Sequence, residues 1–267
     1  MSKIVNRKVM FFDIDGTLLT EGTHIIPDSA KKAIKKAREN GHLAFINTGR
    51  TFFNIEKELH DIGFDGYICG CGTYVRINNE VVEYKTLDVL TRKEIINHLR
   101  KHRVDAILEG LEDVYFDTNN IISENMKNIR DDFHKKGYGL EKNWDSEEIS
   151  YDKLFLITSM ETNIEEFISF FNEKFDYIDR GNNRGEVVPK GYSKATGIKR
   201  VLDYYNIPIE DAFVFGDSSN DLPMFEYVPN SIAMGESDEC ILKLAHYHTK
   251  NVEDDGIEYA MKKYGII

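Results

Sequence analysis

Two aspartates one residue apart, Asp13 and Asp15, close the apolar run Val9-Met10-Phe11-Phe12 and are followed by Gly16-Thr17. Two later apolar runs also end in polar residues. His42-Leu43-Ala44-Phe45-Ile46-Asn47 leads into Thr48-Gly49-Arg50, and Ala212-Phe213-Val214-Phe215 leads into Gly216-Asp217, with Asn220 and Asp221 just beyond. Lys194 falls between these two groups. Three carboxylates meeting in one crevice repel, and a hard divalent cation with oxygen ligands relieves that repulsion. Mg²⁺ suits such a set, because it binds one or two carboxylates together with a substrate phosphate. The chemistry these residues can carry is phosphoryl transfer, which needs a nucleophile, cations and donors around the phosphoryl oxygens, and an acid for the leaving group. Asp13 can attack phosphorus and form an aspartyl-phosphate. Asp15 can protonate the leaving alkoxide and then activate water. The Thr48 hydroxyl can bind phosphate oxygens, Lys194 can neutralise the shared charge, and Asp217 completes the metal site. The simpler alternative for Asp13-Ile14-Asp15-Gly16 alone is a turn that closes a strand.

To bring these residues together the apolar runs must be neighbouring strands. Each is too short for a typical helix and apolar at successive positions, as expected of strands covered on both faces in a parallel sheet. Ligands of such sheets collect at the carboxyl ends of the strands. Strand alternation would turn Asp13 and Asp15 to the same side, with Ile14 turned away. Between the runs, residues 30–40 and 51–62 read as helices, 66–70 as a strand, and 73–77 with 80–84 as a hairpin around Asn78-Asn79. From 87 to 185 the segments become more charged and amphipathic. Helices are predicted near 91–101, 124–136 and 164–174, and strands near 105–108, 114–117, 153–158 and 175–179. A helix over 193–205, strands over 231–235 and 246–249 and a helix over 256–264 complete the chain. The expected fold is α/β: a doubly wound, mainly parallel Rossmann-like core formed by 1–84 and 188–267, with an inserted α/β cap domain over 85–187. Residues 16–47 leave room for only one helix between Asp15 and Thr48, whereas 49–193 can house a domain.

The 267 residues carry a net charge of −12, which argues against a general nucleic-acid binder but not against small phosphorylated ligands held by a metal and a few placed cations. No apolar stretch approaches the roughly 18–20 residues of a membrane span, so no membrane association is expected. The polar stretch Met1 to Lys8 lacks the features of a secretory signal, and a cytoplasmic location is expected. Cys69, Cys71 and Cys240 have neither zinc nor disulfide spacing and read as free thiols. Trp144, Tyr115, Tyr138 and Tyr151 in the proposed cap read as packing residues. Arg50 reads as a structural ion-pair residue. Oligomeric state is left open.

Asp13-Ile14-Asp15-Gly16-Thr17, Thr48-Gly49-Arg50, Lys190-Gly191-Tyr192-Ser193-Lys194 and Gly216-Asp217-Ser218-Ser219-Asn220-Asp221 resemble, in order, the four motifs of the haloacid dehalogenase-like (HAD) hydrolases. More specifically, the chain resembles the Cof-type phosphatases, whose α/β cap is inserted between the second and third motifs. The resemblance includes Ala233-Met234-Gly235 and the closing stretch Asn251 to Ile257. It implies Asp13 as nucleophile and Asp15 as general acid/base, with Mg²⁺ bound by the Asp13 side chain, the Asp15 backbone carbonyl and Asp217. Phosphate contacts would come from the Ile14 backbone, Thr48, Gly49, Lys194 and Asn220, and Asp221 would support the metal site from behind. The implied activity is Mg²⁺-dependent hydrolysis of a small phosphorylated metabolite (a sugar phosphate, nucleotide or cofactor phosphate), with the cap closing over it. A sugar phosphomutase and a catalytically silent phosphometabolite sensor are the alternatives. Cys71-Gly72-Thr73 replaces the family's frequent Asn-Gly-Ala, and Glu236 stands where Asn is common, so substrate preference is not carried over.

Overall fold

The computed structural model describes residues 7–267; residues 1–6, part of the polar stretch noted above, lie outside the described residues. The chain divides into two compact units. One comprises residues 7–50, Asn54–Tyr84 and Tyr192–Ile267, and the other Thr51–Phe53 and Lys85–Gly191.

The larger unit is built on strands β1 (Val9–Phe12), β2 (Leu43–Asn47), β3 (Gly66–Cys69), β4 (Tyr74–Ile77) and β5 (Glu80–Tyr84). Helices α1 (Asp28–Glu39) and α2 (Lys57–His60) intervene. The second unit follows, with α3 (Val89–Lys101), β6 (Asp105–Glu109), β7 (Val114–Tyr115), α4 (Glu124–Lys135), β8 (Lys153–Ile157), α5 (Ile164–Phe171), β9 (Phe175–Asp179) and β10 (Arg184–Pro189). The chain then returns to the larger unit through α6 (Lys194–Tyr205), β11 (Ala212–Gly216), α7 (Leu222–Tyr227), β12 (Asn230–Ala233), α8 (Glu239–Leu244), β13 (Tyr247–His248) and α9 (Gly256–Lys263).

The larger sheet has eight strands among the described residues, in the order β13-β12-β11-β1-β2-β3-β4-β5. It is parallel from β13 through β3, and β4 and β5 add an antiparallel edge. β1 lies between β11 and β2, with Phe12 level with Phe215 and Ile46. Every residue of β1, β2 and β11 is buried, which is why these runs are continuously apolar. Val9 and Phe11 pack with Ile198 and Val201 of α6 and Met224 and Phe225 of α7. The alternate residues Met10 and Phe12 are turned to the opposite face, where Phe12 stacks on Phe215.

The smaller unit carries a five-stranded, wholly antiparallel sheet, β7-β6-β8-β10-β9. Ala106, Leu108, Leu154 and Leu156 pack with Ile95 and Leu99 of α3 and Phe167 and Phe171 of α5. Ile107, Phe116 and Ile157 pack with Met126 of α4. Trp144, Tyr115 and Tyr151 are buried in the first of these clusters, and Tyr138 packs at the edge of the second.

Several elements depart from the sequence expectations. Strand β10 is missing from them, because only Val187-Val188 in Arg184–Pro189 is a clear apolar signal; its pairing with β8 and β9 supplies the rest. The return to the larger unit therefore falls at Gly191/Tyr192, and a boundary at 187/188 would cut β10. The expected helix over 51–62 is broken into a 3-10 turn at Phe52–Asn54 and the short α2, because Glu56 is extended (ψ 149°). Helix α8 also lacked a signal, being only six residues long.

Candidate active site

β1 ends at Phe12, and Asp13 adds one further ladder bond, its N–H donating to the Phe215 carbonyl at 3.0 Å. The chain then turns on the Ile14 carbonyl, which accepts from the N–H groups of Thr17, Leu18 and Leu19 at 3.3, 2.9 and 2.8 Å. Strand alternation therefore does not extend to Asp15. Asp13 is buried, whereas the Asp15 side chain is half exposed. The carboxylate oxygens of Asp13, Asp217 and Asp221 lie within 4.8 Å of one another, and that of Asp15 stands outside the cluster.

Two glycines let the cluster close. Gly16 has φ +76°, and a Cβ there would come within 2.5 Å of Asp217 Oδ2. A Cβ on Gly216 would meet Asp221 Oδ2 at 2.5 Å as well. Thr17 Oγ1 donates to Asp217 Oδ1 at 2.7 Å, so the Gly-Thr pair after the aspartates shapes the partner strand's carboxylate. The Asp221 carboxylate accepts from the N–H groups of Asp217 (2.9 Å) and Ser218 (3.1 Å). It thereby braces the loop that presents Asp217.

Lys194 is placed by the start of α6, where Ser193 and Thr196 form a reciprocal capping box. Its fully buried Nζ donates to Asp13 Oδ1 at 2.7 Å, Asp221 Oδ1 at 2.5 Å and Asn220 Oδ1 at 3.3 Å. Asn220 Oδ1 also accepts from Ser218 Oγ at 3.0 Å. Thr48, at the end of β2, is buried and accepts the Arg50 N–H at 3.1 Å, so its own hydroxyl proton is still available for donation. Gly49 is buried beside it.

The electrostatics follow from this packing. Burial pushes the Asp217 carboxyl up to about 9, with Asp13 and Asp221 adding to the rise against the Thr17 hydrogen bond and the Lys194 charge. Burial also pushes Asp13 up to about 7, opposed by Lys194 and reinforced by Asp221 and Asp15. Lys194 loses by burial but is held well above the usual lysine range by Asp13 and Asp221. Three buried carboxylates thus face one ammonium. That donor set fits a divalent cation, because the excess negative charge has no other counterion among the described residues.

Arg50 is the functional residue that the sequence reading left aside. Its Nε and Nη2 grip Asp15 in a two-pronged pair at 2.9 and 2.5 Å, while Nη1 reaches Glu56 at 2.6 Å. It is an ion-pair residue as expected, yet its partner is the proposed acid/base. Burial works against ionisation of Asp15, but Arg50 outweighs it and holds that carboxyl below the usual range. The signal available beforehand was Arg50 directly after Thr48-Gly49; Glu56 offered none.

A family model for haloacid dehalogenase-like hydrolases matches residues 10–261. The chain belongs to that family. YkrA of Bacillus subtilis (strain 168), a candidate phosphatase by name, is 29% identical over 268 residues, covering 98% of this chain and 100% of YkrA. YitU of the same organism, a 5-amino-6-(5-phospho-D-ribitylamino)uracil phosphatase, is 26% identical over 94% of this chain and 95% of its own. The solved structure of the HAD subclass IIB sugar phosphatase BT4131 superposes with a TM-score of 0.83 at 29% identity, covering 97% of this chain and 100% of that one. The protein is thus a HAD-like phosphatase of the Cof type, and its capped α/β architecture is that of the family.

Proposed function

We propose that the protein is a Mg²⁺-dependent phosphomonoesterase that hydrolyses a small phosphorylated metabolite through an aspartyl-phosphate on Asp13. The observation that carries this reading is the set of bonds joining Asp13, Lys194 and Asp221, which fixes a buried carboxylate at the end of the central strand with its charge partly neutralised. Asp13 Oδ1 is engaged by Lys194, which leaves Oδ2 to attack phosphorus. As the P–O bond to Asp13 forms, the bond to the leaving oxygen breaks, and Asp15 in its acid form supplies that oxygen's proton. Asp15 as the carboxylate then takes a proton from the water that attacks the acyl phosphate, releasing inorganic phosphate and restoring Asp13. Arg50 favours the second of these states, so its grip must loosen for the first.

The Ile14 N–H, Thr48 hydroxyl, Gly49 N–H, Lys194 and the Asn220 amide are the donors for the phosphoryl oxygens. Charge neutralisation on those oxygens is the chemistry Mg²⁺ supplies when held by the Asp13 and Asp217 carboxylates and the Asp15 carbonyl, with Asp221 bracing Asp217. Residues 85–191, as the cap, would select the leaving group. YitU acts on a ribityl phosphate and BT4131 on sugar phosphates by name, which supports polyol or sugar phosphates as the first substrates to try. No described helix is long and apolar enough to cross a membrane.

Hydrolysis of p-nitrophenyl phosphate, then of a phosphometabolite panel, with and without Mg²⁺, tests the reading. Metal-dependent phosphate release that disappears in Asp13→Asn is expected. Full activity in that variant, or transfer between sugar positions without phosphate release, would overturn it.

A further inference from the structure

Immediately after β3 the chain makes a short turn, Gly70–Gly72, whose residues have φ values of +58°, +55° and +91°. Left-handed residues ordinarily occur singly in a chain of L-residues, and three in succession need support from the surrounding structure. The central one, Cys71, carries a side chain that this region disfavours, and it is buried.

The hydrogen bonds of the turn show what this conformation achieves. The Cys71 N–H donates to the Thr48 carbonyl at 3.2 Å, and the Gly70 N–H donates to the Arg50 carbonyl at 2.8 Å. Thr73 Oγ1 donates to the Gly70 carbonyl at 3.0 Å and holds the turn closed. The Thr48 carbonyl and the Gly49 N–H belong to one trans peptide, in which the two groups point in opposite directions. Tying the carbonyl to Cys71 therefore aims the Gly49 N–H away from the turn. Gly49 is buried, and its N–H has no acceptor among the described residues. Such a donor calls for an acceptor that water or a ligand must supply. The turn also abuts the start of α6: a Cβ on Gly72 would come within 2.3 Å of the carbonyl oxygen of Ser193, the residue that caps the helix opened by Lys194.

We propose that Cys71 is a positioning residue for phosphoryl binding: through the left-handed turn it fixes the direction of the Gly49 N–H and holds the Thr48-Gly49 donors in register with Lys194. The proposal rests on the assignment of Thr48, Gly49 and Lys194 to the phosphoryl oxygens. Donors fixed in advance need no rearrangement when charge develops on those oxygens.

The intact protein with Mg²⁺ is assayed in two ways, by turnover of p-nitrophenyl phosphate and by calorimetric titration with inorganic phosphate. Valine, being β-branched, resists positive φ, whereas asparagine tolerates it. Cys71→Val is expected to raise the phosphate Kd and the ester KM together by about tenfold, the worth of one misdirected hydrogen bond to a charged group. Thr73→Val removes only the hydroxyl that closes the turn; it should raise both by about two- to threefold, and it decides the matter should Cys71→Val not fold. Cys71→Asn should keep both within about twofold of the wild type. A merely structural role would lower kcat through the fraction of active protein and leave Kd and KM where they were. That result in the two valine variants, or equal weakening in Cys71→Asn and Cys71→Val, would overturn the proposal, as would absence of phosphate binding by the wild type. Phosphate binding without ester hydrolysis in the wild type would remove the phosphatase reading, and the Kd comparison among the variants would still decide the role of Cys71.

Discussion

Two buried charge clusters, one in each unit, make an instructive pair. In the larger unit Asp13, Asp217 and Asp221 share Lys194, and Asp217 has only the Thr17 hydroxyl as an added donor among its side-chain contacts. In the smaller unit Lys153 bridges Glu109 at 2.9 Å and Glu186 at 3.1 Å, and Arg180 approaches Glu186 at 3.7 Å. The carboxylates and the lysine of each cluster are buried. The difference lies in the cations: Lys194 alone faces three carboxylates in the first, whereas a lysine and an arginine both approach Glu186 in the second. A balanced cluster is a structural ion network, whose desolvation is offset internally. An excess of buried carboxylates is relieved by bound protons or by a further cation, and that excess supports the first as the reaction site.

The largest expected break in this comparison is Asp13→Asn. It should lower p-nitrophenyl phosphate turnover on the order of 10⁴-fold or more, as loss of a nucleophile does, while leaving the metal-free protein as stable or more so, because one repelling carboxylate is neutralised. Initial rates and thermal unfolding together check it. Next, Lys194→Met and Lys153→Met remove the cation from each cluster and should each cost about 3–5 kcal/mol in urea unfolding, since buried carboxylates lose their partner. Mg²⁺ should recover part of the loss in Lys194→Met, where Asp13, Asp217 and Asp221 keep ligand atoms within 4.8 Å of one another.

A third prediction concerns pH. With Asp13 and Asp217 near 7 and 9 in the fold against 3.8 as unperturbed carboxyls, the folded metal-free protein binds more protons than the unfolded chain across that window. Stability must therefore fall as pH rises from the unfolded carboxyl range through the folded values. Unfolding midpoints between about pH 5 and 9 should decline with a chelator and flatten with saturating Mg²⁺, so that metal stabilises most at the alkaline end. The smallest expected effect is that of Arg50→Lys. It keeps the charge beside Asp15 but loses the two-pronged grip, and should change kcat about tenfold with little change in KM or fold. A change confined to KM would make Arg50 a substrate ligand.

The parallel core was legible because strands covered on both faces must be apolar at successive positions, and Val9–Phe12, Leu43–Asn47 and Ala212–Gly216 are. Their polar ends marked the site for the same reason, since a run of buried residues that stops at Asp13, Thr48 or Asp217 stops at a sheet edge. Strand β10 escaped because its burial comes from two antiparallel neighbours rather than from its own pattern.

The sequence alone thus determined which residue types stand at the ends of the core strands, and with them the class of chemistry. Only the tertiary structure decided which of those residues meet. It set Asp221 inside the carboxylate cluster and Asp15 outside it, gripped by Arg50, and brought Lys194 to Asp13 across 181 positions of chain. The physical reason is that spacing along a chain specifies the face and end of an element, whereas β1 lying between β11 and β2, and the turn on the Ile14 carbonyl, specify distance. Charge interactions depend on distance.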